Sequence, residues 1–166
     1  DVYYPSTKFA DVAYADYTIT LKSPKITVDS ANEVKKLFPK REATAHKNDF
    51  GHVLCICGSR TMPGAPVLAT AAALRSGAGL VTLAFPESLY SAVAPKLTEA
   101  LLMPLSENDE GTFSALALKK LLSSLDKYDS IVIGCGIGVN EDTKAILTAI
   151  IENSKVPVVI DADALN

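Results

Sequence analysis

Residues 46–84, HKNDFGHVLCICGSRTMPGAPVLATAAALRSGAGLVTLA, contain the pattern that decides the fold class. An uninterrupted apolar run over 53–57 has the length of a strand and is typical of parallel sheets whose two faces are covered by helices. A loop is marked at 63–64 by Pro and Gly, and the small residues after it predict a helix to about Ser76. A second apolar run over 80–84 predicts the next strand.

The later part of the chain continues this alternation. Further strands are predicted over 100–104, 131–133 and 156–160, and further helices over 87–94, 113–125 and 140–153. Strands alternating with helices predict an α/β protein with three αβα layers, a parallel sheet and right-handed crossovers. Ligands of open parallel sheets bind beyond the carboxyl ends of the strands, so topology alone makes 59–66 a candidate site.

The N-terminal residues carry a different pattern. Alternating polar and apolar residues over 16–21 predict a half-buried strand, and 25–28 predict another short one. Ser30 with Glu33 forms a capping box for a helix that Pro39 ends.

Composition limits the classes of partner. The 166 residues are 48% hydrophobic and 21% charged, which is typical of a globular domain with a sizeable core. A formal net charge of −3 without a clustered basic face argues against nucleic-acid binding. No apolar run approaches the roughly 20 residues that span a bilayer, so no membrane partner is expected.

The three cysteines do not form a disulfide pattern. Cys55 and Cys57 alternate along one predicted strand and share a face, whereas Cys135 lies in a later loop. A C-x-C pair can bind a metal, but no second pair or nearby histidine completes such a site. We interpret the cysteines as small hydrophobic residues of a protein in the reducing cytoplasm.

A glycine-rich segment, GCGIG at 134–138, follows a predicted strand and precedes a helix. With Asp161 after the next strand, it imitates a dinucleotide-binding βαβ unit, in which glycines approach phosphates and a carboxylate binds ribose. The third glycine comes one residue early, however, and Asn140 places the helix start beyond the glycines. A tight turn without a ligand is the alternative interpretation.

Two carboxylates follow the last predicted strand. Asp161 and Asp163 stand where a parallel sheet places functional side chains, but carboxylates at such positions also cap the next helix or loop. The sequence leaves both interpretations open.

Three segments in order, 46–81, 133–138 and 158–166, resemble the ADP- or ATP-dependent NAD(P)H-hydrate dehydratases, repair enzymes with a ribokinase-like fold. The matching residues are 46–47, 50–51, 58–59, 62, 64–66, 71–72, 75, 77–81, 133–138 and 158–166. The resemblance implies dehydration of (6S)-NADH hydrate and NADPH hydrate with ADP or ATP and Mg²⁺. It covers 26–166 as part of a dehydratase domain, with Cys135 where the family usually has proline.

The resemblance also implies site residues. It places Gly64, Ala65 and Gly136 against the hydrated nicotinamide nucleotide, which adds a third interpretation of the glycine-rich segment. Further candidates are Ser59, His46, Lys47, Gly138, Asp161, Asp163 and Asn166. In the ribokinase-like superfamily a carboxylate near Asp161 and Asp163 lies close to the phosphates and Mg²⁺. The catalytic Asp of a late Gly-x-Gly-Asp motif is expected downstream of Asn166, so no residue of this chain is assigned that role.

From this resemblance we expect the chain to be the substrate-side part of a dehydratase, truncated before the C-terminal nucleotide-binding part. We expect it to have no turnover by itself. An exposed sheet edge predicts a homo-oligomer. Residues 1–25 depart from the dehydratase pattern and faintly resemble the end of an NAD(P)H-hydrate epimerase domain. The alternative functions are a small-molecule kinase of the same superfamily, a non-catalytic nucleotide-binding module and, last, a Rossmann oxidoreductase.

Overall fold

The computed structural model describes residues 12–14, 17–19 and 41–166. The chain divides into two units, Asp1–Ala43 and Thr44–Asn166. In the first unit, β1 (Val12–Tyr14) pairs with β2 (Tyr17–Ile19) in an antiparallel ladder, so part of the strand predicted over 16–21 is present. The predicted strand at 25–28, the helix begun by Ser30 and the domain boundary after residue 25 lie outside the described residues.

The second unit contains one parallel sheet of five strands in the order β5-β4-β3-β6-β7. The strands are β3 (His52–Ile56), β4 (Leu80–Pro86), β5 (Leu101–Leu105), β6 (Ser130–Ile133) and β7 (Val158–Ile160). Each strand that the sequence predicted in this unit is confirmed, although β7 is shorter than the predicted 156–160. The strand order changes direction at β3, whose two neighbours are β4 and β6.

Four α-helices connect the strands: α1 (Gly64–Arg75), α2 (Tyr90–Val93), α3 (Leu118–Leu122) and α4 (Glu141–Asn153). The predicted end of α1 at Ser76 is confirmed, since Ser76 is its C-cap. Asn140 caps α4 as predicted: its side chain accepts from the Thr143 N–H at 3.0 Å, and Thr143 Oγ1 accepts from the Asn140 N–H at 3.0 Å. No helix of the described residues has the length and apolar character needed to cross a bilayer.

The continuous helix predicted over 113–125 is wrong. The segment forms a 3₁₀ turn at Ala115–Ala117, the short helix α3 and another 3₁₀ turn at Leu125–Lys127. Two serines interrupt it, since Ser123 Oγ donates to the Lys120 carbonyl at 3.0 Å and Ser124 Oγ donates to the Leu121 carbonyl at 2.8 Å. Such side-chain bonds compete with the helical backbone.

The core lies on both faces of the central strand β3. Cys55 and Cys57 on one face and Leu54 and Ile56 on the other are all fully buried. On the first face they join Val81, Leu83 and Phe85 in a cluster against which α1 packs. Full burial of a leucine or isoleucine side chain stabilises the fold by about 1.5–3 kcal/mol, and this gain explains the uninterrupted apolar run of β3.

Candidate functional site

The candidate site lies where the strand order reverses, between the carboxyl ends of β3 and β6. The two strands remain paired to their ends, since the Gly134 N–H donates to the Ile56 carbonyl at 3.3 Å and the Gly58 N–H donates to the Cys135 carbonyl at 2.9 Å. In open α/β sheets this is the crevice where ligands bind. The topology therefore brings the loop after β3 against the glycine-rich segment after β6.

Gly136 is the point of closest approach between these two loops. Its φ of +69° lies in the left-handed region, and a Cβ built on it would lie 2.8 Å from Cβ of Ala65 and 3.0 Å from Cβ of Met62. Only glycine fits such a position without displacing its neighbours. Ala65 stands in the first turn of α1, where backbone N–H groups lack helical partners.

Gly64 differs from Gly136 because its surroundings are open. A Cβ at Gly64 would meet no atom within 4 Å, and its backbone is not in the left-handed region. The absence of a side chain there leaves the N-terminus of α1 accessible. Gly64, Ala65 and Gly136, the three residues predicted to contact substrate, are thus brought together at one edge of the sheet.

The two carboxylates after β7 hold the glycine-rich segment from the other side. Asp163 Oδ2 accepts from the Gly138 N–H at 2.9 Å, and Asp161 Oδ2 accepts from the Cys135 thiol at 3.4 Å. Asp161 makes no side-chain cap on the 3₁₀ helix at 162–165. Between them, Ala162 has a φ of +51°, which turns the chain sharply after the strand. Both carboxylates bind the neighbouring loop, a contact that the sequence did not predict, and their role as site residues stays a prediction.

The outer glycines of the segment are required by packing. A Cβ on Gly134 would overlap the Asp161 carbonyl oxygen, and one on Gly138 would lie 2.8 Å from Thr112 Cγ2. The following helix begins only at Glu141. A dinucleotide-binding fingerprint places the glycines at the helix N-terminus itself, so the structure favours the tight-turn interpretation for these two glycines.

A third loop, between β5 and α3, encloses the site. Arg60 Nη2 donates to Glu107 Oε1 at 2.7 Å, Arg60 Nη1 donates to the Asp109 carbonyl at 3.2 Å, and the Arg60 N–H donates to the Gly111 carbonyl at 2.8 Å. Because Arg60 alone donates all three hydrogen bonds, it joins the loop after β3 to the loop after β5.

The same loop is tied to the start of α4. Asn140 Nδ2 lies 2.8 Å from both Glu110 Oε2 and Thr112 Oγ1, and Asn108 Nδ2 donates to Asp142 Oδ2 at 2.9 Å. The segment 134–138 is therefore held by hydrogen bonds on the β7 side, and hydrogen bonds on the β5 side hold the start of α4 that follows it.

A family model described as NAD(P)H-hydrate dehydratase matches residues 53–166, more than half of the chain. The chain belongs to the NAD(P)H-hydrate dehydratase family. The matched segment contains the whole sheet from β3 to β7 apart from the first residue of β3, and it contains the four α-helices of the described residues.

Two curated relatives illustrate the family. The bifunctional NAD(P)H-hydrate repair enzyme Nnr of Moorella thermoacetica is 42% identical over 128 residues, covering 77% of this chain and 24% of the relative. The ADP-dependent (S)-NAD(P)H-hydrate dehydratase of Lactiplantibacillus plantarum is 35% identical over 134 residues, covering 80% of this chain and 45% of the relative. The chain thus spans between a quarter and a half of the length of these relatives.

Solved structures confirm the ribokinase-like fold. The ADP/ATP-dependent NAD(P)H-hydrate dehydratase of Bacillus subtilis, co-crystallised with ATP/Mg²⁺, matches with a TM-score of 0.66 and 28% identity, over 81% of this chain and 45% of that one. A ribokinase-like superfamily protein of Enterococcus faecalis matches with a TM-score of 0.65 and 25% identity, over 75% of this chain and 41% of that one.

Not every residue predicted for the dehydratase site lies near Gly136. His46 and Lys47 precede β3, so they lie at the amino edge of the sheet, where Lys47 packs its carbonyl against Gly79. The five residues of β3 separate them from the carboxyl edge by roughly 17 Å. A single small ligand cannot contact both groups, and a nucleotide contact of His46 or Lys47 stays a prediction.

Two other predicted residues lie at the carboxyl edge. Ser59 is 1% exposed, and its hydroxyl lies 3.3 Å from that of Thr61 inside the loop after β3. Asn166 is exposed in the turn after β7, where its N–H donates to the Asp163 carbonyl at 3.3 Å. In the structure Ser59 shapes the loop, whereas Asn166 presents its side chain at the surface.

Sequence reasoning missed Arg60 and Glu107. They are 47 positions apart, and neither lies in a recognisable motif, so their pairing becomes visible only in the folded chain. The one available signal was a polar loop between a predicted strand and helix.

Replacing Glu107 with glutamine is expected to lower the free energy of unfolding by about 1 kcal/mol at neutral pH, since an amide accepts weaker hydrogen bonds than a carboxylate. Burial raises the pKa of Glu107, but hydrogen bonds from Ser88 and Arg60 outweigh it and hold the pKa below its ordinary 4.5. The stabilisation is therefore complete above pH 4.5 and is lost as the pH falls through the lower folded-state pKa.

Urea unfolding at neutral and acidic pH measures this difference. Glu87→Gln, which alters an exposed carboxylate next to Ser88, is the matched control and is expected to have little effect at either pH. An equal loss in Glu107→Gln at both pH values would show that the charge of Glu107 contributes nothing.

The three cysteines are free, and Cys55 and Cys57 are buried as the sequence predicted, whereas Cys135 is only partly buried. Burial raises the pKa of Cys55 to about 11. Contact with the Cys135 thiol, together with burial, raises the pKa of Cys57, whereas the Cys57 thiol lowers the pKa of Cys135 against partial burial and Asp161. Cys135 therefore carries the more acidic thiol of the contacting pair.

Proposed function

We propose that the protein containing this chain repairs nicotinamide nucleotides, dehydrating (6S)-NADH hydrate and NADPH hydrate with ADP or ATP as the co-substrate. The observation that supports this most is that Gly64, Ala65 and Gly136 lie close together where the strand order of the sheet reverses. This sheet lies within the segment that matches the dehydratase family. In this proposal the carboxyl edge of the sheet receives the hydrated nucleotide.

The residues at this edge suit a substrate that carries phosphates. Gly64 and Ala65 begin α1 without a bulky side chain, so a ligand can approach the free N–H groups and the positive end of the helix dipole. Gly136 packs against Ala65 and Met62 beside this helix start, and it has no side chain to obstruct a ligand. The role of this chain is to bind and orient the substrate, and the loop after β5 keeps both walls in place.

ADP or ATP, when bound, would supply the phosphoryl group that converts the added hydroxyl into a better leaving group, so that it departs as phosphate. Among residues 41–166 no group of three or more His, Cys, Asp or Glu side chains is arranged to hold a metal ion. Asp161 and Asp163 are already engaged by the segment 134–138. The described residues therefore present no ready-made set of three such side chains for Mg²⁺.

The direct test is recovery of reduced nicotinamide. The protein encoded by the complete reading frame is incubated with hydrated NADPH, Mg²⁺ and either ADP or ATP, and the absorbance of the reduced ring is followed. Nucleotide-dependent recovery with release of free phosphate is expected. A stable phosphorylated product would instead indicate the kinase, and binding without either product would indicate the nucleotide-binding module.

Replacing Gly64 with alanine is expected to separate binding from stability. Alanine fits the open position and favours a helix by about 1 kcal/mol, so the free energy of unfolding stays the same or rises slightly. The added methyl group narrows the approach to α1, so the KM for hydrated NADPH is expected to rise about tenfold. An unchanged KM would place the substrate elsewhere.

We also propose a location and an assembly state. Three free cysteines are consistent with a reducing cytoplasm. Assembly into a homo-oligomer stays a proposal.

A further inference from the structure

Two thiols lie side by side at the wall of the candidate site. Cys57 follows β3 and is fully buried, whereas Cys135 follows β6 and is partly exposed. Both pack into the same hydrophobic cluster under α1. The hydrogen bond of 2.9 Å from the Gly58 N–H to the Cys135 carbonyl holds the two strand ends together.

This arrangement suits a disulfide. The β3–β6 register pairs Ile56 with Ile133, so Cys57 lies opposite Gly134 and diagonal to Cys135. Strands about 4.8 Å apart with a rise of about 3.3 Å per residue place diagonal Cα atoms about 6 Å apart, within the roughly 4.4–6.8 Å that a disulfide spans. A regular pleat would put diagonal side chains on opposite faces, but Gly134, with a φ of +121°, interrupts the pleat, and Cys135 packs against the same cluster as Cys57. Closure requires a small movement of the loop at Cys135 and no repacking of β3.

We propose that Cys135 is a peroxide-reactive thiol and that Cys57 converts its oxidised form into a disulfide. In the first step the Cys135 sulfur attacks hydrogen peroxide, an S–O bond replaces the O–O bond, and water leaves. In the second step the Cys57 sulfur attacks the sulfenic sulfur, and the released hydroxide departs as water with the Cys57 proton. Two thiols and one peroxide thus give one disulfide and two waters.

Oxidation changes the loop that carries Gly136. The disulfide replaces the hydrogen bond of 3.4 Å between the Cys135 thiol and Asp161, and it draws Cys135 toward β3. The neighbouring Gly136 has no spare room against Ala65 and Met62. Oxidation is therefore expected to distort the site, and a thiol reductant reverses it. This consequence rests on the proposed function, but the thiol chemistry does not.

Peptide mass spectrometry tests the chemistry without an activity assay. The protein from the complete reading frame is treated with hydrogen peroxide, alkylated and digested with trypsin, which releases residues 48–60 and 128–144. The expected product joins these peptides through one disulfide, so it is lighter by two hydrogen atoms than the sum of peptide 48–60 alkylated at Cys55 and unmodified peptide 128–144. Fragmentation assigns the bridge to Cys57, and reductant removes it.

Three variants complete the test, each checked for folding by circular dichroism. Cys55→Ala changes a buried thiol on the same face of β3 and is expected to leave the disulfide intact. Cys57→Ala is expected to stop the reaction at a sulfenic acid on Cys135 that dimedone labels, and Cys135→Ala to prevent both products. A bridge to Cys55, or no reaction of Cys135 in folded protein, would overturn the proposal.

The effect on the site is measured separately, by titrating hydrated NADPH into reduced and oxidised protein. A loss of affinity of about tenfold is expected on oxidation, with no change in Cys135→Ala. A disulfide that forms without altering hydrate binding would leave the thiol chemistry standing and overturn its coupling to the site. If the reduced protein does not bind hydrate either, the proposed function fails independently.

Discussion

Replacing Gly134 with alanine is expected to lower the free energy of unfolding by about 3 kcal/mol or more. The φ of Gly134 is +121°, and its new Cβ would overlap the Asp161 carbonyl oxygen and lie 2.7 Å from Cβ of Ala164. A backbone oxygen cannot rotate away as a flexible side chain can, so β6 and the turn after β7 must separate. Overpacking costs roughly 1–3 kcal/mol, and a strained backbone adds a similar amount.

Urea unfolding followed by circular dichroism measures this loss. Gly64→Ala is the matched control, because the same methyl group enters open space in a relaxed backbone. A Gly134→Ala protein as stable as the control would mean that β7 and its turn do not pack against Gly134 in solution.

In the protein from the complete reading frame, replacing Gly136 with alanine is expected to lower kcat/KM for the proposed hydrate repair by about a hundredfold while lowering the free energy of unfolding by only about 1–2 kcal/mol. The new Cβ presses on Ala65 and Met62, which can shift but whose shift moves the first turn of α1. A misplacement of about 1 Å in a binding site costs roughly a hundredfold in rate. Steady-state kinetics with hydrated NADPH measures the effect.

A second substitution tests whether the contact is the cause. Ala65→Gly removes the methyl group that lies 2.8 Å from the built Cβ, so the double variant is expected to recover part of the lost kcat/KM. If the loss in kcat/KM of the double variant equals the combined losses of the two single variants, Gly136 does not act through its contact with α1.

Local patterns were sufficient to predict most of the fold. Apolar runs of four or more residues identified β3 and β4, and the capping residue Asn140 indicated where α4 begins. The helix over 113–125 could not be predicted correctly, because its leucine spacing is helical although Ser123 and Ser124 bind the backbone. Those bonds depend on side-chain rotamers that periodicity does not encode.

The part of the candidate site whose position follows from strand order could be predicted from the sequence. Strand order brings Ala65 and Gly136 together, since both follow strands that adjoin at the reversal point of the sheet. The same topology separates His46 and Lys47 from them, although all four lie in segments that resemble the family. The Arg60–Glu107 pair spans loops that share no local signal, so only tertiary structure reveals it.

The placement of Asp163 on the Gly138 N–H has a consequence for the order of folding. The walls of the site begin at Gly58 but are completed by a segment that leaves the ribosome only after β7. A chain with mostly non-local pairings forms such contacts late and slowly. During synthesis the glycine-rich segment is therefore made before the carboxylates that hydrogen-bond to it. Ligand affinity is expected to appear in the last kinetic phase of folding.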